Sequence, residues 1–132
     1  GLIGALAFQR LDSHRPSAAG RCPSGGQEMR RIELIFGLAR KGRNEIGEEE
    51  WVAFLERVVT PRFPDGLTVF QGQGQWRSPA GIAVKEASRL LLIWAKPADD
   101  LEARIEALRD TWKAAQQQES VLRADGNSCV SF

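Results

Sequence analysis

At 132 residues the chain has the length of a single domain, and its 18 basic and 17 acidic residues leave the net charge near zero. A balance of this kind supplies no global field that would attract nucleic acid or an acidic membrane surface. The single histidine, His14, lies in a polar N-terminal stretch, which excludes a two-histidine metal site or a Ser-His triad in the folded body. No apolar run reaches the roughly 18 residues that a membrane span needs. We expect no metal, no cofactor and no nucleic-acid partner.

The first 29 residues differ in character from the rest. The opening GLIGALAF is apolar. It fits either the remnant of an export signal whose basic front has been cut off or a short helix or strand packed on the domain. Residues 9–29 are rich in Ser, Gly, Pro and Arg, which predicts a linker or an irregular arm. We therefore divide the chain into an N-terminal arm, residues 1–29, and a single α+β domain, residues 30–132.

The apolar periodicity of the domain predicts six elements. RRIELIFGLA alternates and predicts a first strand, and three acids at 48–50 open a helix that Pro61 ends. LTVFQGQGQW and the apolar IAVKEASRLLLIWA predict strands two and three, with Trp94 in the core. A helix with Trp112 on its buried stripe follows, as Trp51 is on that of the first helix. SVLRADGNSCVSF predicts the last strand, with a break near residues 125–127.

The resulting order β-α-β-β-α-β is that of a ferredoxin-like fold, the split β-α-β arrangement. It predicts a four-stranded antiparallel sheet of strand order 4-1-3-2, with two helices on one face. The other face would remain open for a partner, a ligand or water.

The stretch QGQGQWR allows more than one interpretation. Gly72 and Gly74 alternate on strand two and predict either a bulge or a close approach of other atoms. The stretch would form a strongly twisted hairpin with its tryptophan covering the end, a polar groove on the open face, or a protein interface. The candidate ligand-binding side chains of such a groove are Gln71, Gln73, Trp76 and Arg77.

Glu86 stands just before the apolar part of strand three. With Glu33 on the neighbouring strand it would place a carboxylate pair on the open face, and such a pair raises one pKa as general acids require. The alternative is a solvated ion pair of Glu86 with Lys85, Arg77 or Arg123.

The two cysteines, Cys22 and Cys129, belong at the same end of a 4-1-3-2 sheet, because the start of strand one lies beside the end of strand four. Two cysteines in an apparently exported chain predict a disulfide between them. The alternative is a pair of free thiols, one buried and one exposed.

Several segments also resemble a known family. ELIFGLAR, PRFPDGLTV, GQGQWR and KEASRLLLI are similar to the sequences of a bacterial family of small secreted or lipoprotein-like proteins. That family is described only as a domain of unknown function. The resemblance spans about residues 30–132 and implies export and a compact α/β domain. It implies no reaction and no catalytic residues.

Two functions of different class remain. The first is an exported, periplasmic or extracellular interaction module that forms a homodimer through the open sheet face. The second is a small cofactor-free enzyme, monooxygenase- or isomerase-like, with a cavity on that face. Its candidate residues are Glu33, Glu86, Trp76, Arg77 and Arg123. Nucleic-acid binding is disfavoured because no pair of exposed aromatic residues is expected on the sheet.

Overall fold

The computed structural model describes residues 22–132, so the expectations for GLIGALAF and most of the N-terminal arm lie outside the described residues. The described chain forms strands β1 (Gln27–Gly37), β2 (Thr68–Arg77), β3 (Ala83–Ala95) and β4 (Leu122–Val130) and helices α1 (Glu48–Phe54) and α2 (Leu101–Gln116). One π-helical turn, Leu55–Val59, prolongs α1. The order of elements is the one that the periodicity predicts.

The four strands form one antiparallel sheet with the order β2-β3-β1-β4, which is the expected 4-1-3-2 order counted from the other edge. β4 runs unbroken through residues 125–127, so the predicted break is wrong. Gly126 pairs with Arg31, and a Cβ at position 126 would collide with the guanidinium group of Arg31. The glycine therefore serves a close approach within the sheet rather than a turn.

The hydrophobic core lies between one face of the sheet and the two helices. Alternate residues of β1, among them Ile32, Leu34 and Phe36, are buried there. Phe36 packs against three aromatic rings from the helices, and the ring centroids within this cluster are 4.9 to 5.8 Å apart, mostly edge-on or tilted. The other members are Trp51, Phe54 and Trp112. The expectation that Trp51 and Trp112 are core residues is confirmed.

Two consecutive hydrogen bonds through Gln118 connect the C-terminal end of α2 to the end of β1. The Trp112 indole N–H donates to Gln118 Oε1 at 2.9 Å, and Gln118 Nε2 donates to the Gly37 carbonyl at 2.7 Å. The buried indole thus has a polar partner, and the position of α2 along β1 is fixed.

The predicted disulfide joins Cys22 to Cys129, with the two Cα atoms 5.4 Å apart. A tight turn, in which the Gly26 N–H donates to the Pro23 carbonyl at 2.8 Å, brings Cys22 back beside the end of β4. The bond spans 107 residues and is compatible with an exported protein. Within residues 22–132, neither helix is long and apolar enough to cross a membrane.

Removing the disulfide should be costly because it closes almost the whole described chain. In the chain-entropy model a loop of this length contributes about 4–5 kcal/mol. We expect the variant Cys22→Ser/Cys129→Ser to lose stability of this order in urea denaturation, and the wild-type protein in reductant to match it. An unchanged denaturation midpoint would show that the bond constrains little.

Candidate interaction surface on the open sheet face

The face of the sheet that the helices leave uncovered, here called the open face, carries a row of apolar side chains across all four strands. The cross-strand register aligns Phe70 of β2, Leu90 of β3, Ile35 of β1 and Leu122 of β4. This row is called the apolar band below. Phe70 is 48% exposed and Leu122 54% exposed. Large apolar side chains aligned in this way on a solvated surface mark an interaction site more often than isolated ones do.

One end of the open face is bulky and basic. Trp94 of β3 lies opposite Arg31 of β1 and is 42% exposed, so its predicted place in the core is wrong. β3 is apolar on both faces near its end, and the register sends Ile93 and Ala95 to the core and Trp94 to the other side. We call Trp94 and Arg31 the tryptophan end.

The other end of the open face carries small residues. The register groups Gly72 and Gly74 of β2 with Ser88 of β3 and Gly37 of β1, which together are called the glycine end. The β2–β3 pairing is continuous, so the two glycines of β2 form no bulge. A Cβ at Gly72 would lie 2.9 Å from Ser88 Oγ, and one at Gly37 would lie 2.8 Å from Glu86 Oε2. The side chains of Ser88 and Glu86 therefore occupy the space that side chains at Gly72 and Gly37 would take.

Glu86 is a carboxylate held by a hydrogen bond at the glycine end. Its Oε2 lies over Gly37 and accepts a hydrogen bond from the Ala39 N–H at 3.3 Å. The predicted pair with Glu33 does not form, because Glu33 is opposite Leu92, six positions along β3 from Glu86. The Glu86 carboxylate lies over Gly37, four positions from Glu33 on β1, which is about 13 Å at a rise of about 3.3 Å per residue. Glu33 instead lies 3.3 Å from the Arg31 Nε.

The predicted polar groove on the open face is also not assembled. Gln71, Gln73 and Arg77 lie on the helix side of β2, whereas Trp76 lies on the open face and is 51% exposed. The alternation of side chains along a strand separates the two sets. The aromatic side chains that do line the open face, Phe70, Trp76 and Trp94, also overturn the expectation that the sheet has no pair of exposed aromatic residues.

Arg123 forms ion pairs with three carboxylates in a charge cluster on the helix side of β4. It donates to Glu102 Oε2 at 2.7 Å, to Asp125 Oδ1 at 2.8 Å and to Glu106 Oε2 at 3.1 Å. Hydrogen bonds from Arg123 lower the pKa of Glu102, and they lower that of Asp125 with help from the charge of Arg30. The bonds to Asp125 and Glu102 raise the pKa of Arg123 itself. Arg123 therefore does not share a site with Glu86, Glu33 or Trp76.

A cleft of about 700 Å³ opens where the tryptophan end meets the sheet edge. β2 begins at Thr68 opposite Leu92, so the last residues of β3 extend past it. The volume is in the range of small-molecule sites. Polar groups of Asp65, Lys96 and Arg104 reach the cleft, and the Arg104 guanidinium stacks on the Phe63 ring at 5.0 Å. Its apolar walls include Met29, Phe63, Leu67, Leu92, Trp94 and Val130.

The candidate ligand-binding residues named from the sequence all lie outside this cleft. Among residues 22–132, no group of three or more His, Cys, Asp or Glu side chains is placed to hold a metal ion. The apolar band was not predicted from the sequence. One signal was present, because the alternation of β1 places the apolar Ile35 on the side that faces away from the core. The same alternation, applied to the other strands, identifies Phe70, Leu90 and Leu122 as the other residues of the apolar band.

The family model described as "Protein of unknown function (DUF3574)" matches residues 31–132. The chain belongs to this family. The predicted membership of a family of unknown function is thus confirmed, and no curated protein matches the chain.

Two solved structures of phage SAM lyases share the fold at low identity, and a third structure is less similar. A phage SAM lyase in complex with S-methyl-5'-thioadenosine is 19% identical with a TM-score of 0.56, covering 80% of this chain and 84% of its own. A phage SAM lyase in the apo state is 16% identical with a TM-score of 0.55, covering 83% and 94%. CutA from Synechococcus elongatus is 14% identical with a TM-score of 0.45, covering 78% and 77%. At such identities the likeness concerns the fold alone.

The charge cluster around Arg123 predicts acid-sensitive stability. The pKa of Glu102 and of Asp125 is lower in the folded protein than in the unfolded chain. Their contribution is therefore complete above an unfolded pKa of about 4 and is lost as pH falls through the folded values. Arg123→Met should lower the free energy of unfolding at pH 7 by no more than about 1 kcal/mol, because the ion pairs are solvated, and flatten its fall below about pH 5.

Urea denaturation between neutral and acid pH measures this effect. Arg57→Met, at an exposed position after α1, is the matched control and should behave as wild type. Identical pH profiles for Arg123→Met and the wild type would contradict the role of the cluster.

Proposed function

We propose that the protein is an exported, non-enzymatic interaction module that acts as a homodimer through its open face. We also propose that its architecture is the ferredoxin-like split β-α-β fold. The apolar band carries the proposal. The band exposes four aligned apolar side chains to water. Exposed apolar surface is less favourable than buried apolar surface by about 25 cal/mol per Å². A second protein surface removes that cost.

The dimensions of the open face suit a second copy of this chain. Four strands of about ten residues, spaced about 4.8 Å apart, rising about 3.3 Å per residue and staggered along the sheet, cover an area of roughly 650 Å². With side-chain relief this approaches the roughly 800 Å² per partner of a standard interface. The face carries both signs of charge, Arg31 as well as Glu33 and Glu86. A surface of mixed charge can be complementary to itself, as a two-fold dimer requires.

The β2–β3 hairpin gives independent support. The β1–β3 pairing ends at Gly37 and Ser88, whereas β2 and β3 remain paired out to Arg77 and Ala83. The hairpin thus projects beyond the four-stranded part as a two-stranded ribbon, with Trp76 51% and Ile82 65% exposed near its tip. Two-stranded ribbons are marginally stable in water. A partner that contacts the ribbon would stabilise it.

The disulfide supports export. A bond between Cys22 and Cys129 persists in an oxidising compartment and is rare where thiols are kept reduced. A periplasmic or extracellular location is therefore proposed with the interaction role. Thiol titration of protein from the native compartment would contradict export if it found both cysteines reduced.

Sedimentation equilibrium tests the dimer. We expect the wild type to sediment as a dimer and Leu122→Glu, which places a charge in the apolar band, to weaken the dimer by at least about tenfold in dissociation constant, or about 1.4 kcal/mol. Val52→Glu is the matched control, because Val52 is an apolar residue of α1 that is 37% exposed on the helix side. A wild-type monomer at high concentration would contradict the proposal.

A second candidate function, a small cofactor-free enzyme, is favoured by the cleft at the tryptophan end. Its volume and its mixture of apolar walls with Lys96, Asp65 and Arg104 suit a small ligand. The fold likeness to a phage SAM lyase solved with S-methyl-5'-thioadenosine supplies a probe. The separation of Glu33, Glu86, Trp76, Arg77 and Arg123 weighs against a site on the open face itself.

Titration with S-methyl-5'-thioadenosine distinguishes the two functions. Trp94 lines the cleft, so its fluorescence should report an occupant. We expect no saturable change for the wild type. A saturable change that Lys96→Ala weakens, and that Lys85→Ala on β3 leaves intact, would favour the ligand-binding function instead.

A further inference from the structure

The outer edge of β2 has no neighbouring strand, because β2 pairs with β3 on one side only. The Ser78 N–H donates to the Ile82 carbonyl at 2.8 Å, in the register of the β2–β3 pairing. Since hydrogen-bonded pairs alternate along an antiparallel ladder, the even-numbered residues of β2 bond to β3 and the odd-numbered ones point their N–H and C=O groups outward. Within residues 22–132, no backbone hydrogen bond reaches the outward groups between Val69 and Arg77.

The composition of β2 leaves this edge open to pairing. Natural proteins use charged side chains, prolines or bulges to prevent strand edges from pairing. From Thr68 to Trp76, β2 has none of these three. β4, the other edge strand, contains Arg123 and Asp125 in an ion pair and the disulfide-bonded Cys129. The unprotected edge of the sheet is therefore that of β2.

The sequence of β2 is symmetric about Gln73. The segment 70–76, FQGQGQW, has the same residues in both directions from this centre, apart from Phe at one end and Trp at the other. In two identical antiparallel strands related by a two-fold axis, residues equally far before and after the centre face each other. We propose that β2 pairs with β2 of a second copy, centred on Gln73, so that two sheets become one of eight strands. This contact goes beyond the proposed open-face dimer, because it uses the strand edge and can join two such dimers.

Each pair at this centre joins side chains of the same kind. On the open face, Phe70 faces the partner's Trp76, and these side chains are 48% and 51% exposed in the single chain. Aromatic pairs across antiparallel strands stabilise a sheet. On the helix side, the exposed Gln71 faces the partner's Gln75, and the two amides can donate to and accept from each other. Gln73 lies on the axis, so its outward N–H and C=O groups bond to those of its own copy.

The neighbouring registers lose these pairs. A centre at residue 72 places Phe70 opposite Gly74, and a centre at residue 74 places Trp76 opposite Gly72. Of the three registers, the one centred on Gln73 alone pairs an aromatic side chain with another. Glycine-rich strands specify their register weakly, so the two aromatic pairs determine it here.

The pairing brings no like charges together and is not blocked by α1 or α2. Arg77, the one charged residue of β2, faces Val69, and the two copies of Arg77 are about 26 Å apart along the strands. Gln71 and Gln75 are exposed on the helix side, so neither helix covers this edge. The two-fold axis is perpendicular to the sheet, so both open faces point the same way and remain available. One strand of each chain forms the contact, so we expect it to be weaker than the open-face contact and to join two dimers at higher protein concentration.

Charges placed at the facing positions 71 and 75 test the inference by sedimentation equilibrium. All variants carry Leu122→Glu, which weakens the open-face contact and lies on β4, away from the β2 edge. Gln71→Lys/Gln75→Lys and Gln71→Glu/Gln75→Glu should each raise the dissociation constant of the edge dimer by about tenfold or more, since like charges then face each other twice. An equimolar mixture of the two should return to within about threefold of the Leu122→Glu parent. Gln71→Lys/Gln75→Glu is the matched control, because its facing charges are opposite, and it should pair at least as tightly as the parent.

Cysteine crosslinking measures the register. Under mild oxidation Gln73→Cys should form a covalent dimer, because hydrogen-bonded residues that face each other across an antiparallel pair have Cα atoms about 5.5 Å apart, within disulfide range. Gln71→Cys should not, since its two copies are about 13 Å apart along the strands. Equal crosslinking of the two variants, or none at position 73, overturns the centre at Gln73.

The outcomes separate this inference from the proposed function. A Leu122→Glu parent that stays monomeric at the highest concentration, or a double-lysine variant that pairs like the parent, overturns the edge pairing, and a wild-type dimer then leaves the open-face proposal in place. If the parent pairs through its edge and the wild type associates no more tightly, the open-face dimer is overturned and the edge pairing stands. A monomeric wild type overturns both.

Discussion

The side-chain alternation along β1 is the constraint on which the rest of the structure depends. Burying Ile32, Leu34 and Phe36 under the helices sends Ile35 and Arg31 to the other side of the same strand. The aromatic cluster around Phe36 holds this setting, since a slip by one residue would turn the whole buried row towards water. Once β1 is set, pairing with β3 and β4 determines which residues share each row of the open face.

Both helices cover the same face of the sheet, so the side chains of the open face alone determine what that face can bind. The middle row of the open face, the apolar band, is as apolar as a protein core, and the two ends of the face differ in side-chain size and charge. These properties favour the proposed interaction role over catalysis. The acidic and basic residues that would build a catalytic site are either far apart or bound to each other, as Arg123 is to Asp125.

Much of the fold could be predicted from the sequence because its signals are local or topological. Alternation identified the strands, acids and a proline bounded α1, and the strand order placed Cys22 beside Cys129. The candidate site was harder. The middle of β2, residues 71–75, alternates glutamine and glycine, so its pattern does not show which side is open. β3 is apolar on both sides near Trp94, so hydrophobicity alone assigned that residue to the core. The pairing of Arg123 with Glu102 depends on two elements meeting in space, which no local pattern encodes.

The homodimer that we propose requires a second copy of this chain to cover the open face. Intermolecular nuclear Overhauser effects in a mixture of isotope-labelled and unlabelled protein measure that contact directly. We predict cross-chain signals from Phe70, Leu90, Ile35 and Leu122. Cross-chain signals confined to the helices, or none in a sample at high concentration, would contradict the claim.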